Sequence, residues 1–432
     1  MSMGMGMIWA TGTPEGSRAV ERLLARGAAV LDPETLERAG RIVHEVRTQG
    51  DSALLRLARE LDGAAATTVA DLALTGERPA SRDLPPGFAE ALGQAIAAVE
   101  RFHAPQARAG YTQEADGVWL EERIEPLRRV GVYVPGGRAA YPSTVVMTVV
   151  PARVAGVAEI AVATPPGSWR SNPALRWTLD RLGVTEVWGM GGAHAVAALA
   201  YGTGTIRRVD KIVGPGNAWV TAAKKLVVGD VAIDGIAGPS EVVIIADGSA
   251  DPGDLAADLL AQAEHDPKAA SVLITTDSGL AERVAAEIER QLEGLSTAAT
   301  ARASLNDFGA LLVAGSMEEA AELANRIAPE HLQLVGPEAE ALAGRITAAG
   351  AVFLGGATPE VFGDYIAGPS HVLPTCGNAR FSSALGVEDF LRRSHRIRFT
   401  PEAAARRAPA AAALADAEGL PAHAASARRR SG

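Results

Sequence analysis

The chain has 432 residues, 47% apolar and 21% charged, with a formal net charge of -10. That length calls for about two to four domains in an ordinary globular composition, and the acidic balance excludes the basic stripe of a nucleic-acid binder. The single cysteine, Cys376, excludes an internal disulfide and a thiolate metal cage, and it fits a reducing cytoplasm.

The start, Met1-Ser-Met-Gly-Met-Gly-Met-Ile-Trp, lacks the basic and apolar regions of a signal peptide. The most apolar stretch, Thr144 to Thr164, is interrupted by Pro151, Arg153 and Glu159, so it is not a membrane span. The expectation is a soluble, cytoplasmic protein with neither nucleic acid nor membrane as a partner.

The first third reads as helical. Leu36, Ile42, Val43, Val46, Leu54, Leu57 and Leu61 recur at helical spacing between Pro33 and Leu61, with a break at Gly50, and a second helix is expected from Pro86 to Phe102. His44 and His103 fall in or beside these helices and read as structural.

From Arg128 short β-rich runs alternate with helices. Strands are expected at 130–134, 160–163, 186–188 and 211–213, separated by helices at 144–155, 173–182 and 194–201. A second series has strands at 241–246, 271–275, 310–313, 332–335 and 351–354, with helices at 254–265, 280–292, 317–327 and 338–346. That alternation predicts an α/β fold of two doubly wound, incomplete Rossmann-like units with small helical N- and C-terminal segments. Ligands are then expected in the crevice at the carboxyl ends of the strands, between the units. The expected division is a small N-terminal segment (1–30), a discontinuous catalytic domain (31–130 plus 237–385), a cofactor-side domain (131–236) and a helical C-terminal segment (386–432). In that last segment two short helices are expected, 402–407 and 409–417.

Several turns bear on chemistry. Gly189-Met-Gly191-Gly192-Ala193-His194 follows a strand and opens a helix, but His194 replaces the third glycine of the dinucleotide fingerprint. Gly214-Pro-Gly216-Asn217 is a second such turn, able to approach a phosphate or to serve only as a connector. Gln262 and His265 lie three apart on one helix face, where one divalent ion could touch both, or they form a polar helix end. Glu330 and His331 set a carboxylate beside an imidazole at a helix-to-strand junction, two groups able to move protons, or a plain turn. Cys376 has no His or Arg at a spacing that would obviously lower its pKa and reads as incidental.

These pieces occur in one order with others: Tyr133-Val-Pro-Gly-Gly, Ser143-Thr-Val, Ala237-Gly-Pro-Ser240-Glu241, Gln262-Ala-Glu-His265, Ala328-Pro-Glu-His331, Gly363-Asp364-Tyr365, Gly368-Pro-Ser-His371 and Glu418-Gly-Leu-Pro-Ala-His423. In that order the chain resembles the histidinol dehydrogenase family over nearly its whole length. The resemblance implies a Zn2+ ion held by Gln262, His265, Asp364 and His423, and Glu330 and His331 as the acid-base pair. It implies substrate contacts from Ser240, Gln262, His265, His331, Asp364, His371, Glu418 and His423, and NAD contacts from Tyr133, His194 and Asn217. It further implies zinc-dependent four-electron oxidation of L-histidinol to L-histidine through L-histidinal with two NAD. The active sites would be shared in a homodimer whose C-terminal segment crosses to the partner. The sequence departs from the family at His194, where Gln is usual, and at Ser370, where Asn is usual. Altered cofactor affinity with activity retained is expected from the first. The alternative is a sister NAD-dependent alcohol dehydrogenase acting on another small polar alcohol, such as a sulfonated diol. Glu418, His423, Ser240 and Tyr365 favour the imidazole-bearing substrate.

Overall fold

The computed structural model describes residues 7–26, 31–74, 79–136 and 141–431. Gly137 of the Tyr133-Val-Pro-Gly-Gly turn, and positions 1–6 and 27–30 of the expected N-terminal segment, lie outside these. The strands in chain order are Ile8–Ala10 (β1), Thr112–Ala115 (β2), Val118–Pro126 (β3), Arg129–Tyr133 (β4), Glu159–Thr164 (β5), Glu186–Gly189 (β6), Lys211–Val213 (β7), Ala232–Ile233 (β8), Glu241–Ala246 (β9), Ala270–Thr275 (β10), Ala310–Val313 (β11), His331–Val335 (β12), Ala351–Leu354 (β13) and Leu391–Phe399 (β14).

Among the described residues these make three sheets. Strands β6-β5-β4-β7-β8 form a five-stranded parallel sheet, and β1-β11-β10-β9-β12-β13 a six-stranded one, also parallel. Their runs of Val, Ile, Leu and Ala are buried on both faces, as parallel strands covered by helices must be. Both expected units are therefore present. The third sheet, β14-β3-β2, is antiparallel.

Four expectations need correcting. Helices Pro33–Gln49 and Asp51–Asp62 bury their apolar faces on Gly192–Tyr201 and Ala218–Val227, and Phe88–His103 packs on Pro142–Val154. These helices thus cover the five-stranded sheet, where the expected division placed them with residues 237–385. An amphipathic pattern shows that a helix has an apolar face but not which sheet receives it. Second, the N-terminal segment does not stand apart, because β1 pairs with β11 and helix Pro14–Ala25 packs against the same sheet. Third, the C-terminal segment opens with β14, paired to β3 through nine residues from Leu391 to Phe399. The two short helices expected beyond it are one, Pro401–Ala417, with Pro409 in its interior. Pro409 removes one intrahelical hydrogen bond, and the alanines on both sides are strong enough helix formers to continue past it. Helix Pro421–Arg428 follows and packs on it around Ala412, Ala415 and Ala424. Fourth, the helix expected at 338–346 is only the turn Pro337–Glu340 and a 3-10 turn, Ala343–Arg345.

No helix among the described residues is long and apolar enough to cross a membrane.

Candidate active site

The carboxyl ends of the five-stranded sheet carry the glycine turns. β4 ends in Tyr133, which is buried, and its hydroxyl accepts a hydrogen bond from Gly192 N–H at 3.2 Å. Burial, with the nearby Asp62 charge, pushes the Tyr133 phenol up to about 12. Asp62, at the end of helix Asp51–Asp62, reaches the same turn, accepting from Gly191 N–H at 2.9 Å and pairing with His194 Nε2 at 2.7 Å. After β7, Gly214 takes φ +110°, and a Cβ there would overlap the Tyr133 carbonyl oxygen, so only glycine lets the two strand ends approach. Its N–H donates to Asp234 at 2.7 Å and its carbonyl accepts from Lys224 at 3.1 Å, while Lys224 and Asp234 pair with each other. Asn217 caps the next helix, its Oδ1 accepting from the N–H groups of Trp219 and Val220. Tyr133, His194 and Asn217 therefore all lie along this edge.

The six-stranded sheet behaves differently. Its chemistry-bearing residues sit at the amino ends of β9 and β12: Ser240 precedes β9, Glu330 precedes β12 and His331 opens it. The crevice expected at the carboxyl ends is thus correct for one sheet and inverted for the other. At the carboxyl end of β9, Asp247 instead accepts from Ser249 and from Glu338 N–H, closing that edge with the protein's own groups.

A cavity of about 80 Å³ joins the two edges, lined by Gly214, Lys224 and Asp234 from one unit and by Ser240, Glu330 and His371 from the other. Glu330 is buried, and its Oε2 accepts the Glu241 N–H at 3.0 Å. Burial, reinforced by the Glu241 carboxylate and opposed by the Ser240 hydroxyl, holds the Glu330 carboxyl well above the ordinary carboxylate range. His331 Nδ1 lies 3.3 Å from the Glu241 carbonyl, and its Nε2 lies 3.9 Å from Asp364 Oδ1. Donation from Nδ1 to that carbonyl assigns the tautomer and leaves Nε2 as the free base. Burial lowers the His331 imidazole to about 4, so the ring is neutral near pH 7. His371 Nδ1 lies 3.0 Å from the Asp364 carbonyl, and burial lowers its pKa as well.

Gln262 is fully buried at the end of helix Pro252–Ala263, and neither atom of its carboxamide has a hydrogen-bond partner. His265 stands exposed on the following turn, near enough that its charge opposes protonation of both His331 and His371. A buried amide with both ends unsatisfied costs about 1–3 kcal/mol per lost partner. Helix Pro252–Ala263 packs against helix Glu360–Tyr365, which carries Asp364, and a cation on the Gln262 oxygen would give that atom a partner, so the oxygen and nitrogen donors here fit a metal. Within one chain and among the described residues no three His, Cys, Asp or Glu side chains gather as a ready metal cluster. His423 and Glu418 are exposed on the C-terminal helical hairpin, whose packing is on itself and β14. One chain therefore brings together Asp364, Glu330, His331 and His371, with His265 near both imidazoles and Gln262 on a helix packed against that of Asp364, and it leaves His423 and Glu418 exposed.

Sequence reasoning missed Glu360 and Asp258. Each lies one helical turn before a proposed ligand, Asp364 or Gln262, and so shares its face. Glu360 is buried 3.5 Å from His331 Nδ1, and burial raises Asp258 to about 6. Spacing four residues upstream of Asp364 and Gln262 was the signal available.

The family model described as Histidinol dehydrogenase matches residues 27–431. Curated relatives of that name include one from Geobacter sulfurreducens, 49% identical over 88% of this chain and 90% of its own length. Another, from Thermus thermophilus, is 48% identical over 94% of this chain and 97% of its own length. A crystal structure of histidinol dehydrogenase from Elizabethkingia anophelis is similar with a TM-score of 0.88 at 33% identity, covering 98% of this chain and 97% of that one. With the glycine turns on one edge, the Glu330-His331 pair on the other and a match of this length, the chain belongs to the histidinol dehydrogenase family of NAD-dependent oxidoreductases.

Proposed function

We propose that this chain oxidises L-histidinol to L-histidine through L-histidinal, a four-electron reaction using two NAD, in the cytoplasm and as a homodimer. The observation that carries the reading is the placement of His331, a buried neutral imidazole whose Nε2 faces, at 3.9 Å, Asp364 on a helix packed against the one that carries the unsatisfied Gln262. Gln262, His265 and Asp364 would hold zinc together with His423 of the partner subunit; exposure of His423 and Glu418 on a hairpin that packs on itself and on β14 supports this reading. When bound, zinc supplies a Lewis acid that fixes the amino alcohol by its nitrogens.

His331 takes the hydroxyl proton through Nε2 as the carbinol carbon gives up a hydride. Glu330, beside Ser240 in the cavity, draws a proton from water to form the aldehyde hydrate, and His331 serves again in the second oxidation. Ser240, His371 and Glu418 of the partner subunit orient the substrate, and a carboxylate accepting its ring N–H favours the imidazole over other small alcohols. Tyr133, His194 and Asn217 line the edge where NAD would lie, with the N–H groups of the glycine turns available to its phosphates.

The test follows NADH formation from L-histidinol against other small alcohols, with and without a chelator. Two NADH per L-histidinol, lost on chelation and restored by zinc, is expected; a single-step or chelator-resistant oxidation would overturn the reading. Mixing inactive His265→Ala and His423→Ala chains tests the shared site, since activity should return in mixed dimers and stay absent if each site is built from one chain.

A further inference from the structure

Carboxyl groups surround most of the His331 ring. Glu360 Oε1 and Glu330 Oε2 approach Nδ1 at 3.5 and 3.8 Å, and Asp364 Oδ1 approaches Nε2 at 3.9 Å. The Phe353 ring lies against the imidazole with centroids 6.0 Å apart. Glu330 and Asp364 have tasks in the reaction, but Glu360 has none so far. It is only 4% exposed, its Oε2 has no hydrogen-bond partner, and the charges of Asp364, Glu330 and Asp258 all bear on it.

A carboxyl buried among other carboxyls with no cation of its own lowers stability, and an apolar side chain of that size would pack there at less cost. Such a residue points to a role other than packing, and the group it faces most closely among those above is the imidazole. Its helix, Glu360–Tyr365, also carries Asp364 one turn further on. One short helix thus presents a carboxyl to each edge of the same ring.

We propose that Glu360 is a positioning residue for His331, its carboxyl reinforcing the Nδ1–H donation to the Glu241 carbonyl at 3.3 Å and so keeping the Nδ1 edge of the imidazole toward the interior and Nε2 presented to the substrate. The inference rests on His331 being the base. The logic is that of a base held by a third group: a ring free to rotate spends less time in the geometry that accepts the proton, and the loss falls on turnover with binding retained.

The experiment uses the full zinc-loaded chain and the variants Glu360→Gln, Glu360→Asp, His331→Asn and the double variant Glu360→Gln/His331→Asn, with L-histidinol and NAD. Zinc content and the unfolding midpoint are measured alongside kcat and both KM values. Glu360→Gln is expected to lower kcat about 10- to 100-fold with both KM values within about threefold, and Glu360→Asp to recover part of the loss. In the His331→Asn background the same change should cost less than about threefold, because the ring it acts through is gone.

Wild-type kcat in Glu360→Gln, a loss confined to KM, or a loss undiminished in the His331→Asn background would overturn the proposal. If Glu360→Gln loses zinc or its cooperative unfolding, Glu360→Asp with and without His331→Asn decides by the same criterion. An active His331→Asn variant would refute the assignment of the base, whereas an inactive one beside an unimpaired Glu360→Gln would refute the role of Glu360 alone.

Discussion

Asp62 Oδ2 meets His194 Nε2 at 2.7 Å and also accepts the Gly191 N–H at 2.9 Å, so one carboxylate from the end of a helix fastens both the turn after β6 and the first turn of the next helix. His194 is only 1% exposed. Truncating Asp62→Ala leaves a buried imidazole and a turn N–H without their acceptor, which should lower stability by about 1–3 kcal/mol in denaturant unfolding. His194→Gln keeps a donor within reach of Asp62. It is expected to move the KM for NAD while kcat stays within about twofold. A change in kcat alone would argue that His194 stands away from the cofactor.

Gln262 gives a prediction whose sign depends on metal. Replacing it by Leu removes an amide that is buried with both ends unsatisfied, so the zinc-free variant should unfold at higher denaturant than the zinc-free wild type, by about 1–3 kcal/mol. With zinc present the order should reverse. If Gln262 is a direct ligand as proposed, its loss should weaken zinc binding by more than the roughly 10- to 100-fold typical of outer-shell partners. Metal titration followed by unfolding on both forms reads both effects.

Glu330 and His331 are adjacent in sequence but face different partners, the Glu241 N–H and Asp364 respectively. Their loss should therefore separate the two oxidations. His331→Asn should lower NADH formation from L-histidinol by about 100- to 10,000-fold. Glu330→Gln should oxidise the alcohol and stall at the aldehyde. Feeding L-histidinal to each variant discriminates the steps, and equal loss on both substrates in Glu330→Gln would remove its hydration role.

The strands of both parallel sheets were legible because a strand buried on both faces must be a short apolar run, and a helix between two such runs leaves its own period. The small elements were not. β1 is three residues long, and β3 and β14 carry charged runs such as Glu121-Glu122-Arg123 and Arg392-Arg393 that break the alternation, their partners Glu121 and Arg396, Leu120 and Ile397 meeting across the ladder. No single-strand reading predicts such pairing, because the stabilising contacts lie across the ladder. The site divided in the same way. Gln262, Glu330 and His331 were visible as motifs where a helix ends or a strand begins, and Asp364 only through the family resemblance. Glu360 was overlooked because an acid beside a proline reads as a helix start; its spacing from Asp364 puts it on the same helix face, and packing shows that it is buried against His331. The helix-to-strand junction already put Glu330 and His331 at the amino end of their strand; what the sequence did not show is that this edge, and not the carboxyl one, is the edge the second unit covers, since strand order and direction do not say so.

His103 supplies the pH dependence. It is fully buried on helix Phe88–His103, with Nδ1 2.8 Å from the Val99 carbonyl, and burial lowers its pKa. In the unfolded chain it titrates near 6.5. Below that pH the unfolded state binds a proton that the folded state refuses, so its contribution to stability falls as pH drops from about 6.5 toward the folded pKa. His103→Gln removes this term. The stability of wild type relative to the variant should therefore decline between pH 7 and 5, by at most about 1.4 kcal/mol per pH unit, and a difference independent of pH would show that His103 protonates freely in the folded protein.

Cys376 tests the route of the second oxidation, since a thiolate nucleophile is the usual alternative to a hydrate. The thiol is buried, and burial, with the adjacent Glu241 carboxylate, pushes it up to about 11. At pH 8 such a thiol is ionised in about one molecule in a thousand, too few to carry a nucleophilic step at the rate of the first oxidation. Its backbone matters more than its sulfur. The Cys376 N–H donates to Glu241 Oε1 at 2.7 Å, and the Glu241 N–H donates in turn to Glu330, so the residue helps fix the wall of the cavity through a group that every non-proline residue possesses. Cys376→Ser keeps that N–H and nearly the same volume, and should retain turnover from both L-histidinol and L-histidinal within about threefold. Cys376→Pro removes the N–H and cannot adopt the observed φ of +54°, so it should lose stability and activity together. A Cys376→Ser variant that folds, oxidises L-histidinol and fails on L-histidinal would instead make the sulfur the nucleophile and remove the hydrate from the mechanism.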